Sequence, residues 1–382
     1  MSWKRIKEKI DRYFFAKGND IDFSVARVLF FSLFSYVAWK MNAEAEVRTW
    51  LLEDKKDFWE PISFYKWLGY DLLSYEQLSM LLVVCKVSLV CCILGFRARF
   101  FGLVAFLSTL YLVGFQHNFG KVHHAWHMPV MLIGVLSFSR YPGRFSVDHL
   151  LSKFVPFIKP QPKESAEYTW PVKAIWIYVS CLYFAAGFQK LRTSGLDWIF
   201  SDNMATIILT RPFLPELGEW VAQFDLLCRG IALATIIIEF FFFVGLFNRT
   251  ARTLFAFSAF FMHVGINLVI GAHGNFTPYL VCFVFWIRWS LILSWLAQAA
   301  IFLKIATLKF FKTARYCLFK GIDFITAFLR DGAIAAGRWV FRLPITLVLL
   351  GSLFFVNQNI LWLNLVPAYL PVSYTHLTLP TM

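Results

Sequence analysis

The stretch QLSMLLVVCKVSLVCCILGFRARFFGLVAFLSTLYLVGFQH, residues 77–117, decides the fold. It holds two apolar runs, 77–96 and 100–117, each close to the ~20 residues a helix needs to cross the hydrocarbon core of a bilayer. Arg97 and Arg99 stand in the turn between them, and Lys86 is the one charge inside the runs. A helix this apolar all round belongs in a large core or in lipid. In lipid every backbone polar group must be bonded within its own segment, so the pair reads as a transmembrane helical hairpin.

The rest of the chain repeats this pattern. Apolar runs at 23–41, 125–140, 171–189, 226–247, 253–271, 277–297 and 344–366 bring the expected number of spans to nine. The composition agrees: 382 residues are 59% hydrophobic, 19% aromatic and only 16% charged, and mean hydropathy is +0.60. A soluble domain carries about 25% charged residues. The fold expected is therefore an all-α, polytopic transmembrane bundle with amphipathic interfacial helices. The net charge of +14 does not indicate nucleic acid, because Lys and Arg come in short runs between apolar stretches rather than as a patch on a soluble fold.

Those basic runs orient the chain. Lys4, Arg5, Lys7, Lys9, Arg12 and Lys17 put residues 1–20 in the cytoplasm, and no cleavable signal peptide is expected there. Arg97 and Arg99, the stretch 139–163, the NRTAR segment 248–252 and the basic segment 298–343 fall on the same side. The acidic loop 44–76, with 118–124, 190–224 and 272–276, falls outside. This is the topology expected of a multi-pass membrane protein with a cytoplasmic N-terminus. Residues 204–223, interrupted by Pro212 and Pro215, are expected as an interfacial or re-entrant helix. Residues 298–343 are expected as amphipathic helices attracted to anionic lipid, or as a solvated linker, before the final span within 344–371. The end of the chain, 372–382, resembles a tail found on unrelated metagenomic proteins, so the natural chain is expected to continue past Pro371. The seven cysteines show no CxxC, and the adjacent Cys91 and Cys92 are too close for an ordinary disulfide. Buried free thiols are the expectation.

The polar groups are unevenly spread. His117, His123, His124, His127 and His273 fall in outer loops or at their edges, His263 lies midway along an outward-going span, and Lys190 closes another span at its outer end. Histidine titrates near neutral pH, so this clustering suits proton abstraction. His123 and His127, at i and i+4, also permit a metal reading, but no acidic third ligand lies nearby; interfacial histidines bonded to backbone or headgroups are the alternative. Arg27, Lys86 and Glu239 are costly inside spans and are expected to pair, Glu239 with Lys86 or Arg27. Asn267 follows His263 by one turn and faces the same way. Lys190 has a plainer alternative as a lysine snorkelling to the headgroups.

At these residues a resemblance enters. YFAAGFQKLRTSGLDWIFSDNM (183–204) resembles the YF-x-AG-x-x-KL-x-x-x-W segment of vitamin K-dependent γ-glutamyl carboxylases and their bacterial relatives, the horizontally transferred transmembrane (HTTM) domain family. HHAW with LSFSRYPGRFSVDHLL resembles that family's histidine-to-Ser-Val-Asp stretch, and FMHVGINLVIGAHGNF (261–276) resembles its FH-x-x-N span. The three motifs cover roughly 117–285 in order, and the HTTM-like domain is expected over 21–297.

The resemblance implies roles. Lys190 falls on the lysine proposed to deprotonate a reduced quinone, His124 on the histidine supporting a later proton abstraction, and His263 with Asn267 on polar positions of the later span. His123 stands where the family has Asn, and Trp198 on the motif's tryptophan, an extra residue or two from Lys190; with Asn267 they are expected to bind substrate. In those enzymes oxygenation of the reduced, vitamin K-like quinone yields the base that removes a glutamate γ-proton, to which carbon dioxide adds. Gln189 replaces the first lysine of the family's Lys-Lys pair, and nothing before Pro371 supplies the large β-rich domain that binds the carboxylases' propeptide substrate. The expected function is thus action on a quinone or lipid-like substrate at the outer face, with membrane lipid and a quinone as the expected partners. The alternative is a non-catalytic accessory or quinone-binding component. A transporter is disfavoured by the lack of inverted repeats. Lys190, His124, His263 and Asn267 are expected to line one outward-opening pocket roofed by 190–224.

Overall fold

The computed structural model describes residues 3–40, 59–61, 66, 67, 69, 73–118, 124–156, 158, 160–210, 214–270 and 277–317. The chain divides into two units, Met1–Ser294 and Trp295–Met382.

The described chain is mostly helical. In order come α1 (Trp3–Phe14), α2 (Asp20–Lys40), α3 (Tyr75–Leu94), α4 (Ala98–His117), α5 (His127–Ser137), α6 (Val147–Leu151) and α7 (Trp170–Ser194). They are followed by α8 (Asp197–Phe200), α9 (Asn203–Thr210), α10 (Pro215–Ala222), α11 (Asp225–Phe241), α12 (Arg249–Val269), α13 (Thr277–Leu280) and α14 (Trp289–Cys317). Two short strands, β1 (Gly18–Asn19) and β2 (Glu164–Ser165), pair antiparallel with Gly18 opposite Ser165.

Six helical segments among the described residues are long and apolar enough to cross a membrane: Asp20–Ala38, Tyr75–Leu94, Ala98–Phe115, Ala166–Ser194, Asp225–Leu246 and Arg249–Val269. Val83, Val87, Leu103, Leu107, Leu233, Ile237, Leu254 and Phe257 stand exposed along them. Apolar surface on this scale is tolerable only against lipid or a partner. The fold is that of a multi-pass helical membrane protein.

Two of the nine expected spans depart from expectation, and a third, at 344–366, lies outside the described residues. The run at 125–140 yields only the 11 residues of α5. Pro129 fits only in a first turn, so the helix cannot extend further toward the N-terminus. The run at 277–297 is not one helix. Thr277–Trp286 and Trp289–Ile305 pass as a span only together and are bent by 78° at the break. The break creates a fresh helix N-terminus, and Asp22 of α2 satisfies it, accepting from the Ser290 amide at 2.6 Å and from the Ser290 hydroxyl at 3.1 Å. A carboxylate bonded to the first-turn amides is what an orphaned N-terminus favours. Within 204–223 the described residues belong mostly to α9 and α10, two eight-residue helices neither of which is long enough to span, while 211–213 lie outside the described residues. Of the cysteines, Cys85, Cys92, Cys228 and Cys282 are buried, but Cys181 is exposed on α7, against the expectation of burial for all.

The core is aromatic and aliphatic, with Phe30, Phe34, Met128, Leu132, Ile133, Ile175 and Val179 fully buried. Arg27 enters it from α2, and among the described residues no carboxylate forms an ion pair with it. Its Nε donates to Pro142 O at 2.9 Å and Nη2 to Phe145 O at 2.5 Å, while Nη1 bonds both Cys92 O and Ile93 O. Cys92 and Ile93 lie in the last turn of α3, where carbonyls lack helical partners and the helix dipole is negative. Arg27 therefore closes α3 rather than pairing with Glu239. Gly95 makes this corner: its φ is +65°, and a Cβ would meet Ser146 Cβ at 2.5 Å.

The contacts gather the chain's turns at one end of the unit. Asp20 binds Arg144, Asp148 accepts from the Arg97 amide, Tyr13 reaches Leu246 O and Glu167 accepts from the Arg140 amide. These are the segments whose basic residues set the expected orientation.

Candidate functional site

α7 carries Trp176, Ser180, Tyr183, Gly187, Lys190 and Ser194 at alternating four- and three-residue spacing, which puts them on one face. α11 and its 3₁₀ continuation, Phe242–Leu246, pack against α7. Gly187 permits the close approach. A Cβ there would lie 2.8 Å from the Phe240 amide nitrogen and 3.0 Å from Glu239 Cβ.

That approach delivers a carboxylate to Lys190. Lys190 Nζ donates to Glu239 Oε2 at 2.5 Å, with the two side chains 23% and 10% exposed. The ammonium also lies 5.4 Å from the centre of the Trp198 ring, within cation–π range. The expected pairing of Glu239 with Lys86 or Arg27 is corrected: among the described residues its ionic partner is Lys190. The snorkelling alternative leaves Lys190 with no protein partner; here the amine meets the acid of Glu239.

Two turns earlier on α7, about 10 Å along the axis, Tyr183 OH and His263 Nε2 are 2.6 Å apart and buried. Phe242 stacks on the Tyr183 ring at 4.5 Å, and Tyr279 meets the His263 ring edge-on at 5.2 Å. Asn267, one turn past His263 on α12, donates to Thr277 Oγ1 at 3.3 Å. The turn His124–Trp126 packs on α13, the element bearing Thr277 and Tyr279.

Of the expected site residues, Lys190 thus stands with Trp198 and Glu239, His263 with Tyr183 and Tyr279, and Asn267 with Thr277. The backbone of His124 approaches the same α13 element; His123 lies outside the described residues. His127 Nδ1 meets Tyr178 OH at 2.8 Å. Sequence reasoning missed Tyr183, Tyr279 and the partner of Glu239. The first had a readable signal: Tyr183 precedes Lys190 by seven residues on a stripe of small and polar side chains.

Two donors on the segment after α7 are short of acceptors. The buried Trp198 Nε1 and Asn203 Nδ2 have no hydrogen-bond partner among the described residues. A buried donor left unmade costs about 1–3 kcal/mol, and such groups fit a ligand that brings oxygen acceptors. The ammonium–carboxylate pair beside Trp198 can take a proton at the carboxylate and hold an oxyanion at the ammonium.

Comparison with protein-family models, with curated proteins and with solved structures finds no match. What fold and site define is a class: a multi-pass helical membrane protein with a lysine–glutamate pair and a tyrosine–histidine pair set along one helix.

Proposed function

We propose that this is an HTTM-type, carboxylase-like protein of a bacterial inner membrane, N-terminus in the cytoplasm, acting at its outer face on a quinone or lipid-like substrate. The observation that carries the reading is the Lys190–Glu239 pair beneath Trp198, two turns from Tyr183–His263. An ion pair at this depth is poor value for stability alone, since desolvation offsets most of the Coulomb gain. Ionisable groups inside spans are most often functional. The residues suit an oxygen-bearing aromatic ring: Trp198 offers a flat face and an unpartnered N–H, and Lys190 a cation.

A bound reduced quinone supplies an acidic hydroxyl and two electrons. Glu239 would be the group to accept a proton from such a hydroxyl, and Lys190 the cation to hold the negative charge left behind. The pair divides the work that the resemblance assigns to Lys190 alone. His263, bonded to Tyr183, and His124, on the turn beside α13, are the groups for a later proton transfer, while Trp198, Asn267 and His123 bind.

A second reading has its own support. Lys190 is already engaged by Glu239, and an engaged amine also suits a component that binds quinone without turning it over. Reconstituted protein supplied with a reduced naphthoquinone, oxygen, a glutamyl peptide as carbon acceptor and labelled bicarbonate separates the two. Quinol oxidation or carbon dioxide incorporation lost in Lys190→Ala and Glu239→Gln supports the enzyme. Binding without turnover supports the accessory role, and absence of both overturns the site.

A further inference from the structure

The opposite end of α7 carries a second cluster of charge that the site above does not use. Lys173, in the first turn of α7, places its Nζ 4.3 Å from the centre of the Tyr13 ring and 4.6 Å from that of Trp176. Arg252, in the first turn of α12, places its guanidinium carbon 4.0 Å from the same Trp176 ring. Two like charges therefore converge on one indole. Arg252 spends its Nε on Gly245 O at 2.8 Å. Among the described residues no carboxylate forms an ion pair with either cation, and Lys173 makes no hydrogen bond.

Cation–π contact is worth about 0.5–2 kcal/mol and does not cancel charge. Two half-buried cations left uncompensated repel each other and pay for desolvation, so the arrangement favours an anion. Its position says which kind. Lys173 and Arg252 lie near the starts of the spans Ala166–Ser194 and Arg249–Val269, and Leu246 ends the span Asp225–Leu246, so the cluster sits at headgroup depth. α1 joins it through Tyr13, whose hydroxyl donates to Leu246 O at 3.5 Å. Burial pushes the Tyr13 phenol above its ordinary pKa, keeping it a donor. Along α1, Lys4, Arg5, Lys7, Lys9 and Arg12 are exposed against the acids Glu8 and Asp11, and Ile10 is 47% exposed. That pattern suits a helix lying on an anionic leaflet.

We propose that Lys173 and Arg252, converging on Trp176 beside α1, hold the phosphate of an anionic phospholipid. The recognised chemistry is a phosphate ester, which lipid supplies in the plane of the site and inorganic phosphate could supply from solution.

The test uses the full chain, purified in detergent and examined by native mass spectrometry after exposure to phosphatidylglycerol or phosphatidylcholine. Wild type should retain one phosphatidylglycerol that phosphatidylcholine does not displace. Lys173→Gln with Arg252→Gln should weaken retention about 30-fold, the scale of two basic residues at an anionic surface, while Lys173→Arg keeps it. The single Lys173→Gln variant serves if the double does not fold, and should weaken retention about fivefold. Equal retention by wild type and the glutamine variants overturns the site. Displacement of the lipid by millimolar inorganic phosphate overturns the lipid as occupant.

Discussion

Arg27 and Lys190 both carry a cation into an apolar bundle, and they are satisfied in different ways. Arg27 is bonded to carbonyls of Pro142, Phe145, Cys92 and Ile93, acceptors that cannot take its proton. Its fork geometry joins the end of α3 to the 142–145 turn, so its role is to hold two segments together. Lys190 meets a carboxylate, a partner that can change protonation state, and stands beside an indole whose N–H has no partner among the described residues. The first cation is fixed in a mesh of dipoles, the second set in a pair that can do acid–base work. Burial alone does not separate structure from function; the chemistry of the partner does.

The largest expected effect tests the structural side. Arg27→Ala strands the α3 terminal carbonyls and should cost about 3–5 kcal/mol, seen as a fall in unfolding temperature or loss of expressed protein. Arg27→Lys should recover only part of this, since one ammonium cannot reach carbonyls on both segments. Glu239→Gln removes the compensating charge from Lys190 and should cost less, about 1–3 kcal/mol, because Lys190 keeps some exposure. An equal cost for the two substitutions would erase the distinction drawn between the cations.

Gly187→Ala sharpens the comparison from the backbone side. The added methyl meets the Phe240 amide nitrogen at 2.8 Å, and overpacking of this kind costs about 1–3 kcal/mol. It should also push α11 away and loosen the ion pair, so any Lys190-dependent quinone binding falls with it. Stability and binding unchanged in this variant would show that the close approach is not what seats Glu239. The smallest effect is expected for Tyr183→Phe, which deletes one hydroxyl from the buried bond to His263 and should cost about 1 kcal/mol, with the fold intact.

Much of the fold was legible because a span announces itself by length and apolarity, which are local properties. The six crossing helices fall within a few residues of the runs that predicted them. The broken span was not legible, because the group that satisfies its new helix end, Asp22, is more than two hundred residues away in sequence and is brought to Ser290 only by packing. The site was half legible for a similar reason. Sequence position sets how deep Glu239 lies along its helix but not which neighbour its face meets, and so Lys86 and Arg27 looked as suitable as Lys190. Gly187 could have narrowed the choice: a glycine one turn before a lysine, on the same stripe, marks where another helix comes close. Lys190 itself stood out because a span ends near it, yet that position also fits a snorkelling lysine, and only the meeting with Glu239 tells them apart.

The claim that Lys190 and Glu239 form a working pair rather than a structural one is tested most directly by replacing both, Lys190→Met with Glu239→Leu. Exchange of a buried ion pair for apolar side chains of similar volume is often neutral for stability. The measurement is retention of a reduced naphthoquinone by the purified protein, read beside its unfolding temperature. The account predicts an unfolding temperature close to that of the wild type and loss of quinone retention. Retention undiminished in the double variant would contradict it.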